Sequence, residues 1–296
     1  MQLARKAAAA IVLVAAALVY PAPSISTQAR LVERHTFEEN EGRLIAYYSS
    51  VLAFSPGGPL QSIRAGAVDI GVEATYVPEL DEAQRSAGFD KPEATNFTPV
   101  LPRPRGSVGL PGKVLLEVSW IPPFRAFGIK ANVFAAAISR QVWSQAGYQV
   151  VPRISFLVGR VRAPITCSDD LARGDNDELV YFNNICHAND SDDYFEPRHV
   201  SAEIILSRAM HGGRWMPYAG GGGRWERSRF DIGVIRSDGS RDPDHPVLEM
   251  EATRPHGFAG VSWLPRSRAR LNGEFYYSPG SLATLRVSAT ININGR

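Results

Sequence analysis

The sequence predicts an all-β fold: an antiparallel transmembrane β-barrel of about ten strands (8–12), preceded by a short N-terminal helix. Three observations predict it. Hydrophobicity alternates with period two along most of the chain, aromatic residues stand at or near the ends of the alternating runs, and the long connections fall on one side only.

The first element is an export signal. Arg5 and Lys6 precede an unbroken apolar run over 7–19, "PAPSIS" breaks that run, and Thr27-Gln28-Ala29 offers the small residues of a cleavage site. Thirteen apolar residues fall short of the roughly 20 that a spanning helix requires, so a signal peptide over 1–29 is expected rather than an anchor. No Cys follows the run, which argues against a lipoprotein. Removing 1–29 takes away two positive charges and lowers the formal charge from +2 to zero, so nucleic acid is not an expected partner. The 44% hydrophobic content is ordinary for a soluble protein and does not by itself point to a membrane. Nothing after residue 29 is apolar for long enough to make a spanning helix, leaving the periplasm, the medium or an outer membrane crossed by strands.

The N-terminal segment, 30–61, contains "EENEGRLIAYYSSVLAF" at 38–54. Leu44, Tyr47, Tyr48, Val51 and Leu52 fall at helical spacing, with acidic residues in the first turn where the helix dipole favours them. The spacing predicts an amphipathic helix that caps or plugs the barrel from the periplasmic side; an additional strand is the alternative.

From residue 62 to 296 the period is two. Val68, Ile70, Val72, Ala74 and Tyr76 oppose Asp69, Gly71, Glu73 and Thr75; Val114, Leu116, Val118 and Trp120 oppose Lys113, Glu117 and Ser119. Phe127, Ile129, Ala131 and Val133 oppose Gly128, Lys130 and Asn132, and Val200, Ala202, Ile204 and Leu206 oppose Ser201, Glu203 and Ser207. Leu271, Gly273, Phe275 and Tyr277 oppose Arg270, Asn272 and Glu274, and the run ends in "TLRVSATININGR", 284–296. Several runs approach the 9–11 residues of a tilted spanning strand. Tyr76, Trp120, Trp215, Trp225, Trp263 and Tyr277 sit where interfacial girdles belong.

Ten strands follow, near 62–77, 103–110, 113–121, 124–140, 148–162, 198–209, 215–229, 256–264, 267–278 and 283–295. Connections one, five and seven (78–102, 163–197 and 230–255) are long, whereas "LPG", "SQAG", "HGGR" and "PRSR" make the even ones short. A transmembrane barrel has this one-sided distribution. A soluble exported β-sandwich also alternates, but it would place its aromatics in mid-strand. The final strand is expected to close the ring against strand one, its Leu, Val, Ala and Ile face toward lipid and its Arg, Ser, Thr and Asn face toward the lumen.

"LPRPRGSVGLPGKVLLEVSWIPPF" at 101–124 resembles a segment of uncharacterised Gram-negative outer-membrane β-barrel proteins, and "MPYAGGGGRW" at 216–225 is similar to the Tyr- and Gly-rich strand of many such barrels. The resemblance covers about half of the mature chain. It implies an outer-membrane barrel, with outer-membrane lipid and the barrel-assembly machinery as partners, and it brings no catalytic residues. Such barrels commonly end on an aromatic residue, whereas this sequence ends Asn294-Gly295-Arg296.

Candidate chemistry is of three kinds. The inward positions carry both signs, at Asp69, Glu73, Glu117, Lys130, Glu203, Arg270, Glu274 and Arg286. A lumen network is expected in which Glu117 pairs with Lys130 and Arg286 reaches Asp69 or Glu73 across the closing seam, plugging the lumen unless a small solute passes. Cys167 and Cys186 fit a disulfide in an oxidising compartment, closing an acidic loop and removing about 3 kcal/mol of unfolded-state loop entropy. Two cysteines with only His187 nearby match no zinc set. In the exterior loop from Cys167 to Glu196, Asp169, Asp170, Asp175, Asp177 and Glu178, with Asp190, Asp192, Asp193 and Glu196, could hold calcium, yet they lack the spacing of a known calcium loop and a solvated loop is the default. The rim candidates for hydrolysis, His187, Asp244, His245 and His256, include one acid–imidazole neighbour pair in "DPDHP". No enzyme activity and no cofactor are expected. The "GGGG" at 220–223 is not a phosphate loop, since no Gly-Lys-Ser/Thr follows; it marks a bend or a close approach, with the 38–54 helix as the candidate occupant.

Overall fold

The computed structural model describes residues 31–59, 64–85, 99–123, 125–126, 129–167, 189–242, 245–266 and 268–294. In chain order its strands are β1 (Val32–His35), β2 (Val68–Tyr76), β3 (Val100–Leu110), β4 (Val114–Ile121), β5 (Arg125–Ala126), β6 (Ile129–Arg140) and β7 (Trp143–Gln145). They continue with β8 (Tyr148–Ala163), β9 (Asp193–Glu196), β10 (Arg198–Arg208), β11 (Trp215–Asp231), β12 (Val247–Arg266), β13 (Ala269–Ser278) and β14 (Leu282–Asn292). A helix, α1 (Asn40–Val51), follows β1 and precedes the barrel strands, and a single helical turn covers Glu82–Arg85.

Ten strands close a ring in the order β2, β3, β4, β6, β8, β10, β11, β12, β13, β14, every pairing antiparallel. Closure occurs between β14 and β2, from Arg286↔Thr75 to Asn292↔Asp69, so the ring has no free edge. The strand count and the side of the long connections agree with the sequence pattern. Two boundaries move by six residues or more. The first barrel strand begins at Val68 rather than at 62, and β12 begins at Val247, so the seventh connection shortens to 232–246. At 193–208 the chain makes one strand broken at Pro197, which has no N–H to give the ladder; the upper piece, β9, pairs with β8 and β11.

The alternation sorts into two faces. On β14, Leu285, Val287 and Ile291 are each more than half exposed, while Arg286 and Asn292 are buried. Ile70, Val72, Ile138, Ile154, Ile204, Leu206, Leu271 and Phe275 continue the outward apolar surface around the ring. Large apolar side chains exposed on so many neighbouring strands suit lipid rather than water. Two rows of outward aromatics bound this apolar belt. Tyr76, Trp120, Trp225 and Tyr277 lie toward the long connections; Trp143, Tyr148, Trp215 and Trp263 lie toward the short ones, Trp215 stacking on Trp263 at 5.7 Å. A closed barrel with an apolar exterior and aromatic girdles is the architecture of the Gram-negative outer membrane, and that is where this chain resides.

The lumen is filled by the chain's own N-terminal segment. β1 pairs in parallel with β12, Val32↔Val247 to His35↔Met250, on the part of β12 that rises past the end of β13 toward the long connections. The chain then turns inward as α1, whose residues from Leu44 to Val51 are all buried. From there 52–59 descends to the short-turn end, where β2 begins. The plug therefore enters from the long-connection rim, which corrects the expected periplasmic entry. The helix itself agrees with the 3.6-residue spacing. Its aromatic face, with Tyr48 5.6 Å from Phe195 and 6.4 Å from Phe230, packs in a core shared with Val133, Ala135, Leu157 and Val161. The lumen around α1 is thus mainly an apolar core, and a smaller apolar cluster with Val151, Ile205 and Phe258 lies lower down, beside buried charge.

Candidate functional site

The polar site is built where α1 ends. The last carbonyls of a helix lack intrahelical partners and carry the negative end of its dipole. Here arginines from the wall supply the missing donors. Arg103 donates to Leu52 O (2.6 Å) and Ala53 O (3.1 Å), and Arg286 to Ala53 O (2.8 Å) and Ser50 O (3.1 Å). Lower down, Arg105 donates to Ser55 O (2.9 Å) and Pro56 O (2.8 Å), and Arg153 to Phe54 O (3.0 Å). The Phe54 ring sits among these cations, 4.6 Å from Arg105 and 5.0 Å from Arg153. Arg254 reaches Ala46 O (3.2 Å), and Ser50 Oγ accepts from both Arg224 (2.7 Å) and Arg254 (3.1 Å). Small residues on this face of the helix, Ala46, Ser49 and Ser50, allow the close approach.

Carboxylates on the same wall neutralise the arginines in an alternating belt. Glu73 on β2 pairs with Arg105 on β3; Arg105 also meets Glu117 on β4 (3.0 Å). Glu117 meets Arg153 on β8 (3.0 Å), and Arg153 meets Glu203 on β10 (2.7 Å), which in turn contacts His256 Nε2 on β12 at 3.0 Å. The belt skips β6, where Ala137 and Ser139 are small enough to let Glu117 and Arg153 touch. A second cluster nearer the long connections joins Glu226 to Arg224 (3.2 Å), to Arg254 and to Ser49 Oγ (2.7 Å). Buried pairs of this kind contribute little net stability because desolvation offsets the attraction. Their effect is geometric: the arginines they hold reach the backbone carbonyls of Ser50 and of Leu52 to Pro56.

Several expectations require correction. Lys130 lies on the outer face and is exposed, so it does not pair with Glu117. The reason is α1: it demands an apolar inner surface, so Ala131, Val133, Ala135 and Ala137 turn inward and Lys130 and Asn132 turn out. Arg286 faces the lumen but bonds the end of the helix rather than a seam carboxylate, and Asp69 instead accepts from Asn292 (2.8 Å). Glu274 accepts from Tyr218 Oη (3.0 Å), and Arg270 lines the lower cavity described below. His256 is no rim residue; it is buried beside Glu203. The glycines at 220–223 do not receive the helix. A side chain at Gly220 would strike the Phe258 ring, and one at Gly222 would strike the Ala202 carbonyl, so they serve close strand packing.

The pattern that hid Arg103, Arg105, Arg153, Arg224, Glu226 and Arg254 was present in the sequence. "PRPR" at 102–105 alternates, with its prolines outward and its arginines inward. "RWERS" at 224–228 does the same around Trp225.

At the long-connection rim, Asp192 pairs with Arg162 and Glu196 with Arg160 (Nε at 2.7 Å). Asp193 is buried and accepts from the backbone of Ile165 (2.8 Å), Thr166 (2.5 Å) and Gly233 (2.7 Å). Burial raises its carboxyl above the ordinary aspartate range, against the lowering effect of those bonds. These three acids are thereby engaged without an ion. The calcium candidates Asp169, Asp170, Asp175, Asp177 and Glu178, together with Cys186, His187 and Asp244, lie outside the described residues. Cys167 is fully buried. Of the other rim candidates, His245 is 3.5 Å from Asp242. A His35–Glu39–Glu41 group also lies at this rim, and its His35 Nδ1 is bonded to Glu39 at 2.7 Å. At the opposite end a cavity of about 430 Å³ is lined by Arg64, Asp69, Arg270 and Asn292, and it stops against 56–59 and the Arg105–Glu117–Arg153 belt.

No protein-family model matches the sequence, and no curated protein matches it. Among solved structures, the attachment invasion locus protein Ail of Yersinia pestis is similar at 10% identity, covering 77% of this chain and 97% of its own, with a TM-score of 0.28. The Acinetobacter baumannii outer membrane protein Omp33 covers 79% of this chain and 100% of its own at 7% identity, TM-score 0.30. The Escherichia coli outer membrane protease OmpT covers 77% and 91% at 8% identity, TM-score 0.35.

Proposed function

We propose that this chain is a self-plugged outer-membrane barrel with a structural role, closed to solutes by its own N-terminal segment. The observation that carries the reading is the set of wall arginines bonded to the backbone carbonyls of 50–56, which fixes the plug by main-chain atoms. The cavity at the short-turn end can admit a small solute, and such a solute would meet the plug before crossing. Outer-membrane lipid and the barrel-assembly machinery are the partners this role requires, no catalytic role is assigned, and export by the 1–29 signal with a Cys167–Cys186 disulfide belongs to the same reading. Single-channel recording on the purified intact protein tests it. Conductance no higher than that of the empty bilayer is expected, and a steady open level would overturn the plugged reading.

A further inference from the structure

Outside the lumen, the wall carries a row of like charges that the plug does not use. Arg125 on β5 stands directly opposite Lys130 on β6, and Lys130 stands directly opposite Arg162 on β8. All three are exposed on the outer face. Like charges opposite one another in a sheet repel. Arg162 has Asp192 as a partner, but Arg125 and Lys130 have no ion pair among the described residues. Arg160, paired with Glu196, and Arg198 extend the patch; among the described residues its five cations face Asp190, Asp192 and Glu196, an excess of two positive charges.

The layering beneath the patch is that of a bilayer surface. One step down the strands, Asn132 pairs with Arg160 and accepts from Trp120 Nε1 (3.0 Å). Two steps down, Phe134 pairs with Val158 and with Trp120 and lies 5.8 Å from Phe156, within the apolar belt. Lys130 and Phe134 are four positions apart, about 13 Å along the strand and about 10 Å along the normal at the usual tilt. Long cationic side chains at that height reach the headgroup layer while their stems lie over the belt. The Tyr194 ring, 5.2 Å from Arg160 and 5.6 Å from Arg162, holds both guanidinium groups in place.

We propose that this patch binds the phosphate of an anionic lipid in the leaflet on the long-connection side. The inference rests on the membrane reading of the barrel and adds a specific lipid contact to it. The test reconstitutes the intact protein in nanodiscs of phosphatidylcholine with or without phosphatidic acid and measures bound lipid by native mass spectrometry. Retained phosphatidic acid is expected, with at least a tenfold loss of retention in Arg125→Gln/Lys130→Gln and no loss in Lys113→Gln at the opposite rim. Equal retention of phosphatidylcholine, equal retention by the double variant, or equal competition by inorganic phosphate would overturn it. If the double variant fails to insert, the comparison of the two lipids on the parent protein decides alone. Failure of the parent to insert would instead refute the barrel reading.

Discussion

Replacing Arg153 with Met removes the centre of the lumen belt. Its side chain is fully buried and ties Glu117, Glu203 and the Phe54 carbonyl together at 3.0, 2.7 and 3.0 Å. Removing one partner of a buried pair leaves a desolvated charge and costs about 3–5 kcal/mol. Glu117 keeps Arg105 and Glu203 keeps His256, each at 3.0 Å, so the lower end, about 3 kcal/mol, is expected. Urea titration in detergent micelles, followed by tryptophan fluorescence, measures it. Lys130→Met is the control, because alternation alone would make Lys130 the partner of Glu117, whereas the structure turns it outward; its titration should overlay the parent's. A loss below about 1 kcal/mol for Arg153→Met, or an equal loss for Lys130→Met, would refute the belt.

Gly222→Ala should abolish the heat-modifiable band on a denaturing gel, since a Cβ there would lie 1.8 Å from the Ala202 carbonyl oxygen, whereas Gly223→Ala meets nothing within 4 Å and should behave as the parent. At the rim, Glu249 accepts from Arg229 (2.6 Å) and Arg227 (3.1 Å). Burial pulls its carboxyl upward, and the arginine hydrogen bonds more than reverse this, leaving it below the ordinary glutamate range. Its contribution is therefore present above the unfolded value and lost as pH falls through the folded one. Glu249→Gln should lower the melting midpoint by about 2 °C at pH 7, as expected of a surface network, and the difference should shrink as pH falls below the ordinary glutamate range; a difference independent of pH would contradict the assignment.

The wall was legible because a β-strand has a period of two and lipid forces its outer face to be apolar. The closing strand shows this most clearly, with Leu285, Val287 and Ile291 outward and Arg286 and Asn292 inward. The phase fails on β6, where both faces are partly apolar: alternation cannot tell an apolar face that meets lipid from one that meets α1, so alternation alone points Lys130 inward. The helix was legible from Leu44, Tyr47, Tyr48 and Val51, but its entry side was not. That depends on β1 pairing with the far end of β12, more than 200 residues away in sequence, and no local pattern encodes it. The lumen arginines were only half legible. Their alternation is plain, and so are the wall carboxylates they pair with, yet their other partners are backbone carbonyls, which leave no trace in residue types.

The location of the plug is tested most directly by a crosslink. Ser50 Oγ on α1 and Ser281 Oγ beside β14 are 2.9 Å apart and buried. A Ser50→Cys/Ser281→Cys variant, inserted in membranes and oxidised, should form the new disulfide nearly quantitatively, seen as a mass loss of two hydrogens in the joined peptides. Free thiols at both positions under conditions that oxidise a control pair on the wall would show that 40–59 does not occupy the lumen.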